Sequence, residues 1–161
     1  MAQTHSISPR IVEALYADAL VLADAVRSRF ERLRSDSAGA RAGGHADEDD
    51  CARVLCNCEA LRTTTRVMHC LAWLLNHRAY FAGEISEAQL RRHGVLAAHF
   101  PATDAAALAL LPRDVQVLVR ESERLYDRVA RIERSWRRPA GANEAGEISA
   151  IERLRQRLGA A

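Results

Sequence analysis

The first hydrophobic pattern in the chain is a stripe over residues 11–33, in which apolar side chains return at alternating steps of four and three. That spacing places them on one face of an α-helix, because a turn takes about 3.6 residues. Ser8 and Pro9 precede the stripe. Serine caps a helix N-terminus, and proline has no N–H to leave unpaired in the first turn. The pattern predicts a helix over about residues 9–34.

The same spacing recurs near the end of the chain, over residues 115–136. Pro112 precedes this stripe and suits the start of a helix. The apolar positions are unbroken, whereas the positions between them are charged, so one face is suited to a core and the other to solvent. The pattern predicts a second long helix over about residues 112–137.

The middle of the chain carries two apolar stripes on nearly opposite faces of one predicted helix. The acidic residues 47–50 favour a helix start, and Gly83 is typical of a helix end. These signals predict a helix over about residues 48–82. The main stripe, taken as the core face, consists of Cys51, Val54, Cys58, Leu61, Thr65, Met68, Ala72, Leu75 and Ala79. The second stripe consists of Thr63, Val67, Cys70, Leu74, His77 and Phe81.

A helix that is apolar on two sides must be covered on both. We therefore expect the second stripe to be covered either by residues 95–111 of the same chain or by a second copy of the protein. The candidate dimer or packing seam consists of Val67, Cys70, Leu74 and Phe81.

The remaining segments are predicted to be a loop, short helices and a tail outside the three long helices. Residues 35–47 are small, Gly-rich and without apolar periodicity, which predicts a flexible loop. Ser86 with Gln89 matches a capping box for a short helix, and Thr103 or Asp104 suits the start of another over residues 105–111. Residues 139–161 form a linker and a short amphipathic tail, a candidate helix-in-groove anchor through Ile151, Leu154 and Leu158.

These elements predict an all-α fold. No strand-like alternation of useful length occurs, and three long periodic segments joined by loops favour an antiparallel three-helix bundle with short extra helices and a flexible C-terminal tail. The bundle would occupy residues 1–138. A hydrophobic content of 48% in 161 residues suffices for one core.

Composition narrows the function classes. All 23 basic side chains are arginine, and the net charge of +2 is spread over mixed-sign helices, so nucleic acid is not favoured as a partner. The four cysteines lie in helical patterns, and no apolar export segment occurs at the N-terminus, which favours a reduced, cytoplasmic protein. The longest uncharged apolar run, residues 68–75, is far shorter than the roughly 20 residues of a membrane span.

Few residues point to chemistry. Cys56 and Cys58 are two positions apart on a helix, which separates their thiols by about 200°, so we expect small-residue packing rather than a metal site. No Gly-rich phosphate loop is present, and no cofactor is expected. An enzyme is the weakest alternative, based on His69, His77 and the thiols.

Residues 61–84 (LRTTTRVMHCLAWLLNHRAYFAGE) and 111–135 (LPRDVQVLVRESERLYDRVARIERS) carry a family resemblance. The family-like positions are Leu61, Arg62, Thr64, Thr65, Arg66, Met68, Trp73, Leu74, Leu75, Arg78, Gly83, Glu84, Ser122, Leu125, Tyr126, Arg128, Val129 and Arg131. With these residues and this helix order, the chain resembles the regulator of CtrA degradation family of alphaproteobacterial cell-cycle proteins.

The resemblance implies a homodimeric adaptor without an active site. Such an adaptor joins an ATP-dependent protease complex of ClpX and ClpP, together with a response-regulator-type protein, and helps to deliver cell-cycle regulators such as CtrA. Recruitment to a cell pole is a further implication. Arginine binds carboxylates bidentately, so the candidate partner surface consists of Arg62, Arg66, Arg124 and Arg128. The alternative is a helical dimeric scaffold or DNA-associated module without a role in proteolysis.

Overall fold

The computed structural model describes residues 7–40, 47–96, 100 and 102–137. This part of the chain contains five helices and no strand, which confirms the all-α prediction. The helices are α1 (Pro9–Ala40), α2 (Asp47–Phe81), α3 (Glu87–His93), α4 (Ala105–Ala109) and α5 (Arg113–Arg137). The predicted tail with Ile151, Leu154 and Leu158 lies outside the described residues, as does part of the predicted loop, residues 41–46.

Helix α1 continues six residues beyond its predicted end, so the first part of the predicted loop is helical. The amphipathic stripe ends at Leu33 because the helix leaves the core there, and Asp36 is exposed. Alanine has the highest helix propensity of all residues, and this stretch contains no proline. The Ser35 hydroxyl also donates to the Glu31 carbonyl at 3.1 Å. Apolar periodicity marks where a helix is buried, and a helix can extend past that point.

The three long helices form a bundle in which α1 runs antiparallel to both of the others. Arg78 near the end of α2 pairs with Glu13 near the start of α1, and Arg29 of α1 pairs with Asp114 at the start of α5. Helices α2 and α5 run parallel, since Arg66 bonds Ser122 and the ring of His77 meets that of Trp136. The antiparallel bundle is therefore confirmed, and α2 and α5 form the one parallel pair that any bundle of three helices must contain.

The parallel arrangement requires residues 82–112, the return segment, to run back along the bundle. Helix α3 starts with the predicted capping box between Ser86 and Gln89. Further along, the backbone N–H of Leu96 donates to Glu133 at 3.0 Å, and that of Thr103 donates to Glu123 at 2.8 Å. Asp104 caps α4, as predicted. Buried Leu96, Leu108 and Leu111 attach the return segment to the core.

The core lies between α1, α2 and α5, and it takes in the second stripe of α2. Val67, Cys70 and Leu74 are buried within the single chain, and Phe81 is half-buried against the same cluster. The candidate dimer or packing seam through these four residues is therefore a packing seam within the single chain, because they lie in or against its own core. The main stripe, which was assigned to the core, faces outward instead.

Candidate interaction surfaces

The outward stripe of α2 is an exposed apolar face opposite the core. Its four large members have exposed fractions of 61%, 71%, 57% and 47% for Val54, Leu61, Met68 and Leu75, respectively. Cys58 and Ala72 are also exposed, whereas Thr65 and Ala79 are half-buried. We call the residues Val54, Cys58, Leu61, Thr65, Met68, Ala72, Leu75 and Ala79 the α2 outer stripe. It carries no charged side chain.

The cations that flank the α2 outer stripe are paired within the chain. Arg62 lies 3.6 Å from Glu59, and Arg78 bonds Glu13 at 2.7 Å while its guanidinium lies 4.2 Å from the ring centre of Tyr16. Bonding to Glu13 raises the pKa of Arg78 further above its usual value. The surface around the stripe is thus apolar at the centre, and the two arginines at its edges are paired with carboxylates.

The outer face of α5 has the opposite chemistry. Five exposed arginines follow one another along it at helical spacing, and we call Arg113, Arg120, Arg124, Arg128 and Arg131 the α5 arginine strip. Arg128 lies 3.9 Å from Asp18, with both side chains largely exposed. Within the described residues, the other four have no carboxylate at ion-pair distance. Their guanidinium donors are available to a partner.

The sequence prediction found part of this strip and missed part of it. It named Arg124 and Arg128, which lie on the strip, but not Arg113, Arg120 or Arg131. Residues separated by three and four positions share a helix face, so the spacing of these arginines could have revealed the whole strip.

Arg66 does not belong to a partner surface, although the sequence prediction placed it there. Its side chain is only 1% exposed, and its Nη1 donates to the Ser122 hydroxyl at 2.7 Å. Its Nη2 lies 3.8 Å from Glu123. The correction follows from the helix period, since Arg66 lies on the same face of α2 as the buried Cys70.

Arg66 forms part of a buried polar cluster that joins α2, α5 and the return segment. Glu59 accepts hydrogen bonds from the hydroxyls of Thr63 at 3.2 Å and Thr103 at 2.8 Å. Glu123 accepts the backbone N–H of Thr103. Buried charges are stable only when they are paired and hydrogen-bonded. The cluster therefore fixes how the return segment lies on the bundle.

The two histidines considered for chemistry have structural surroundings. His77 is buried, its ring stacks on Trp73 with centres 3.7 Å apart, and its Nδ1 lies 2.9 Å from the Trp73 carbonyl. Burial lowers the pKa of His77, partly opposed by that hydrogen bond and by Glu133. His69 is half-buried, with its ring centre 5.2 Å from that of Phe100.

The thiols occupy three different environments. Cys70 is buried, which raises its pKa to about 12, and Cys56 is half-buried, which raises its pKa as well. Cys58 is exposed on the α2 outer stripe. Among the described residues, no group of three histidine, cysteine, aspartate or glutamate side chains is placed to hold a metal ion.

None of the described helices combines the length and apolar character needed to cross a bilayer.

Comparison with known proteins gave one match. Searches of curated proteins and of solved structures gave no match. A family model described as "Protein of unknown function (DUF1465)" matches residues 3–161. Because this match spans nearly the whole chain, the protein belongs to the DUF1465 family.

Proposed function

We propose that the protein is a non-catalytic adaptor that helps to deliver cell-cycle regulatory substrates to an ATP-dependent protease of the ClpXP type. The resemblance of residues 61–84 and 111–135 to the regulator of CtrA degradation family supports the biological setting. The observation that carries the proposal is the α5 arginine strip, an exposed row of cations in which four have no partner within the described residues. With this role come a cytoplasmic location and, by resemblance, recruitment to a cell pole.

The strip suits an acidic segment of a partner protein, such as a response-regulator-type protein or a substrate. Guanidinium groups bind carboxylates through two parallel hydrogen bonds and remain charged at any cellular pH. From Arg113 to Arg131 the strip is about 27 Å long at 1.5 Å per helical residue. An extended acidic segment of about eight residues spans that length.

Binding of this kind is sufficient for an adaptor. Holding a substrate near an unfoldase raises its effective concentration, which accelerates degradation without any chemistry by the adaptor. Moderate affinity is an advantage, since the substrate must be released to the unfoldase. Exposed arginine contacts provide such affinity, because surface ion pairs contribute only about 0.2 to 1 kcal/mol each.

A reconstituted degradation reaction tests the proposal. Purified ClpX, ClpP, a response-regulator-type protein and a CtrA-class substrate from the same organism are mixed with the full-length chain, and substrate loss is followed over time. We expect the chain to accelerate degradation. The triple variant Arg120→Gln, Arg124→Gln, Arg131→Gln should lose at least about tenfold of that acceleration, which corresponds to roughly 1.4 kcal/mol spread over three contacts.

A matched control separates the strip from total charge. Arg10, Arg32 and Arg34 are exposed on α1, and their triple replacement by glutamine removes the same charge elsewhere. This control should accelerate degradation as the wild type does. No acceleration by the wild-type chain would overturn the adaptor role, and equal loss in both triple variants would overturn the role of the strip.

A second candidate function is a DNA-associated helical scaffold, which the same unpaired arginines favour. Duplex DNA would bind them through its phosphates, and each phosphate contact steepens the salt dependence of affinity by about 0.9 in a log-log plot. Four contacts would give a slope between about −3 and −4. Such a slope in a gel-shift titration, lost in the α5 triple variant, would favour DNA over an acidic protein segment.

A further inference from the structure

We propose that residues 147–158 of this chain pack as an amphipathic helix, antiparallel to α2, on the C-terminal half of the α2 outer stripe of the same chain. The occupant of this exposed face is therefore a segment that lies outside the described residues, rather than a separate molecule. The contact is independent of the adaptor role, because it is measured without protease or substrate.

The receiving surface is an apolar patch on the C-terminal half of the stripe. Met68 and Leu75 are 57% and 47% exposed, and the exposed Ala72 lies between them. Leu20 of α1 is 46% exposed. It follows by one turn the α1 residue Tyr16, whose ring contacts α2, so it adjoins the same patch. Exposed apolar side chains grouped in this way, without a charge among them, are typical of a docking surface.

Residues 147–158 (EISAIERLRQRL) have a matching apolar face. Ile148, Ile151, Leu154 and Leu158 recur at steps of three, three and four, which places them on one side of a helix. A helix of this length is marginal by itself in water, because helices shorter than about 12 to 15 residues rarely offset the cost of nucleation. Packing on an apolar surface supplies the stabilisation that such a helix lacks.

Helix α5 ends close to this patch. Trp136 meets His77 with ring centres 5.3 Å apart, so the end of α5 is level with the last turn of α2. Residues 138–147 then cross only from α5 to the outer side of α2. That path is about 20 Å, twice the usual spacing of packed helix axes. Ten residues span up to about 33 Å when extended, so the connection is long enough.

The position of the connection determines the direction of the docked helix. A helix that begins at the end of α2 and stays on the stripe must run back along α2. One register then brings the apolar side chains of the segment level with members of the stripe: Ile151 with Leu75, Leu154 with Ala72, and Leu158 with Met68. The space above the small Ala72 side chain is filled by a leucine, which gives close packing at the centre of the contact.

The charges agree with the antiparallel direction. The second half of the segment is basic, through Arg153, Arg155 and Arg157. The antiparallel course brings that half beside the middle of α1, where the exposed Asp24 and Glu31 share a single arginine. This edge therefore carries an excess of negative charge. Surface ion pairs are weak, so they orient the segment while the apolar contact holds it.

Covalent linkage makes such a short contact sufficient. A contact of three helical turns buries far less than the roughly 1,200 Å² of a specific interface between separate molecules. A segment joined through a short linker, however, is present at an effective concentration on the order of millimolar. A contact with a Kd on the order of millimolar as a free peptide is then occupied for about half of the time or more.

Thiol labelling of the full chain tests the docking. The background carries three substitutions that remove other thiols: Cys51→Ala, Cys56→Ala and Cys58→Ala. Cys70 is retained because it is 0% exposed. Met68→Cys then places a reactive thiol under the docked segment. Val54→Cys is the matched control, since Val54 is 61% exposed on the same stripe and lies about 21 Å from Met68 along the helix, beyond the segment.

The segment is undocked by Leu154→Glu, which places a carboxylate against the apolar patch. With this substitution, Met68→Cys should react with N-ethylmaleimide at least about twofold faster, because the thiol is no longer covered for half of the time. Val54→Cys should react at an unchanged rate. An unchanged rate at Met68→Cys would overturn the docking. Faster labelling at both positions would assign the effect to the bundle as a whole and would overturn it as well.

Dilution separates the segment from a second copy of the chain. A contact within one chain does not depend on protein concentration, so the labelling rate of Met68→Cys should be the same at about 10 μM and about 0.1 μM. Protection that disappears on dilution would place a second copy on the patch and overturn the proposal.

Disulfide formation tests the direction of the docked helix. In the same background, Leu75→Cys with Ile151→Cys should form a disulfide within the chain under mild oxidation, because the two positions face each other. Leu75→Cys with Leu158→Cys should form much less, since Leu158 lies about 10 Å further along the segment. Equal yields would mean that the segment is not held on the patch. A higher yield with Leu158→Cys would reverse its direction, and either result would overturn the proposal.

Discussion

Helices α2 and α5 lie side by side in the same direction, yet their outward faces differ completely in chemistry. The α2 outer stripe holds no charge, whereas the α5 arginine strip holds five cations. Both helices bury a full inner face in the same core, so stability of the bundle does not require this difference. The two faces differ in the physics of binding that they suit, since an apolar face gains from removal of its surface from water and a row of arginines gains from ion pairing.

The assignment of inner and outer faces is tested most strongly at Arg66. Arg66→Ala should lower the free energy of unfolding by about 3 to 5 kcal/mol, because it leaves Glu123 and Ser122 without their buried partner. Urea denaturation measures the change. Arg27→Ala removes an exposed arginine of α1 whose partners, Asp24 and Glu31, are also exposed, and it should cost only a small fraction of that. Equal effects at the two positions would mean that Arg66 faces solvent.

Neighbouring leucines test the same assignment within one turn of α2. Leu74 is fully buried and Leu75 is 47% exposed. Leu74→Ala should lower the free energy of unfolding by about 2 to 5 kcal/mol through the cavity that it leaves. Leu75→Ala should cost less than about 1 kcal/mol under conditions where the chain is monomeric. If Leu75→Ala proved more destabilising than Leu74→Ala in thermal or urea unfolding, the core face of α2 would be its main stripe, as the sequence predicted.

Salt should weaken binding to the α5 arginine strip. Raising sodium chloride from about 0.05 to 0.5 M shortens the Debye length about threefold. Binding of an acidic peptide to the strip should weaken by about tenfold or more. Fluorescence anisotropy gives the Kd of the peptide at each salt concentration. A Kd that does not change with salt would mean that the peptide is not held by ion pairs.

The smallest effect concerns pH. Burial holds the pKa of His77 below its ordinary value of 6.5 in the folded chain. Above pH 6.5 the folded and unfolded states carry the same charge at this residue. As the pH falls below about 6.5, the unfolded state binds a proton that the folded state resists, so stability declines until the folded pKa is passed. Unfolding measured from pH 7 to pH 5 should show this decline.

The variant His77→Phe should flatten the pH profile. Its ring can still stack on Trp73, but it cannot titrate. Replacement of the exposed His93 by glutamine is the control, and it should leave the slope unchanged. An unaltered slope in His77→Phe would assign the pH dependence to another group.

The predictability of the fold differed between the helices for a physical reason. Helices α1 and α5 have one apolar face each, so their orientation could be predicted from spacing alone. Helix α2 has two. Its inner face includes Thr63, Arg66 and His77, which look less suited to a core than Leu61 and Met68. Arg66 bonds Ser122 far along the chain, and Thr63 bonds Glu59, which also accepts a hydrogen bond from the distant Thr103. A periodic pattern cannot report such long-range contacts.

The same limit applies to the candidate surfaces. Local signals such as the capping box at Ser86 depend on residues three apart and were predicted correctly. The direction of α5 depends on how residues 82–112 cross the bundle, which no local pattern specifies. The main stripe of α2 was taken as its core face, and a local pattern could not decide whether the second stripe would be covered by the same chain or by another copy.

The parallel course of α2 and α5 also affects how the protein emerges from the ribosome. The hairpin of α1 and α2 is complete at Phe81, but α5, the third long helix of the bundle, ends only at Arg137. At about 5 to 20 residues per second, the intervening synthesis takes on the order of several seconds. During that time Val67, Cys70 and Leu74 lack the cover of α5. The nascent chain therefore exposes an apolar surface on the α1–α2 hairpin. Chaperones can bind this surface during synthesis, and the folded protein buries it.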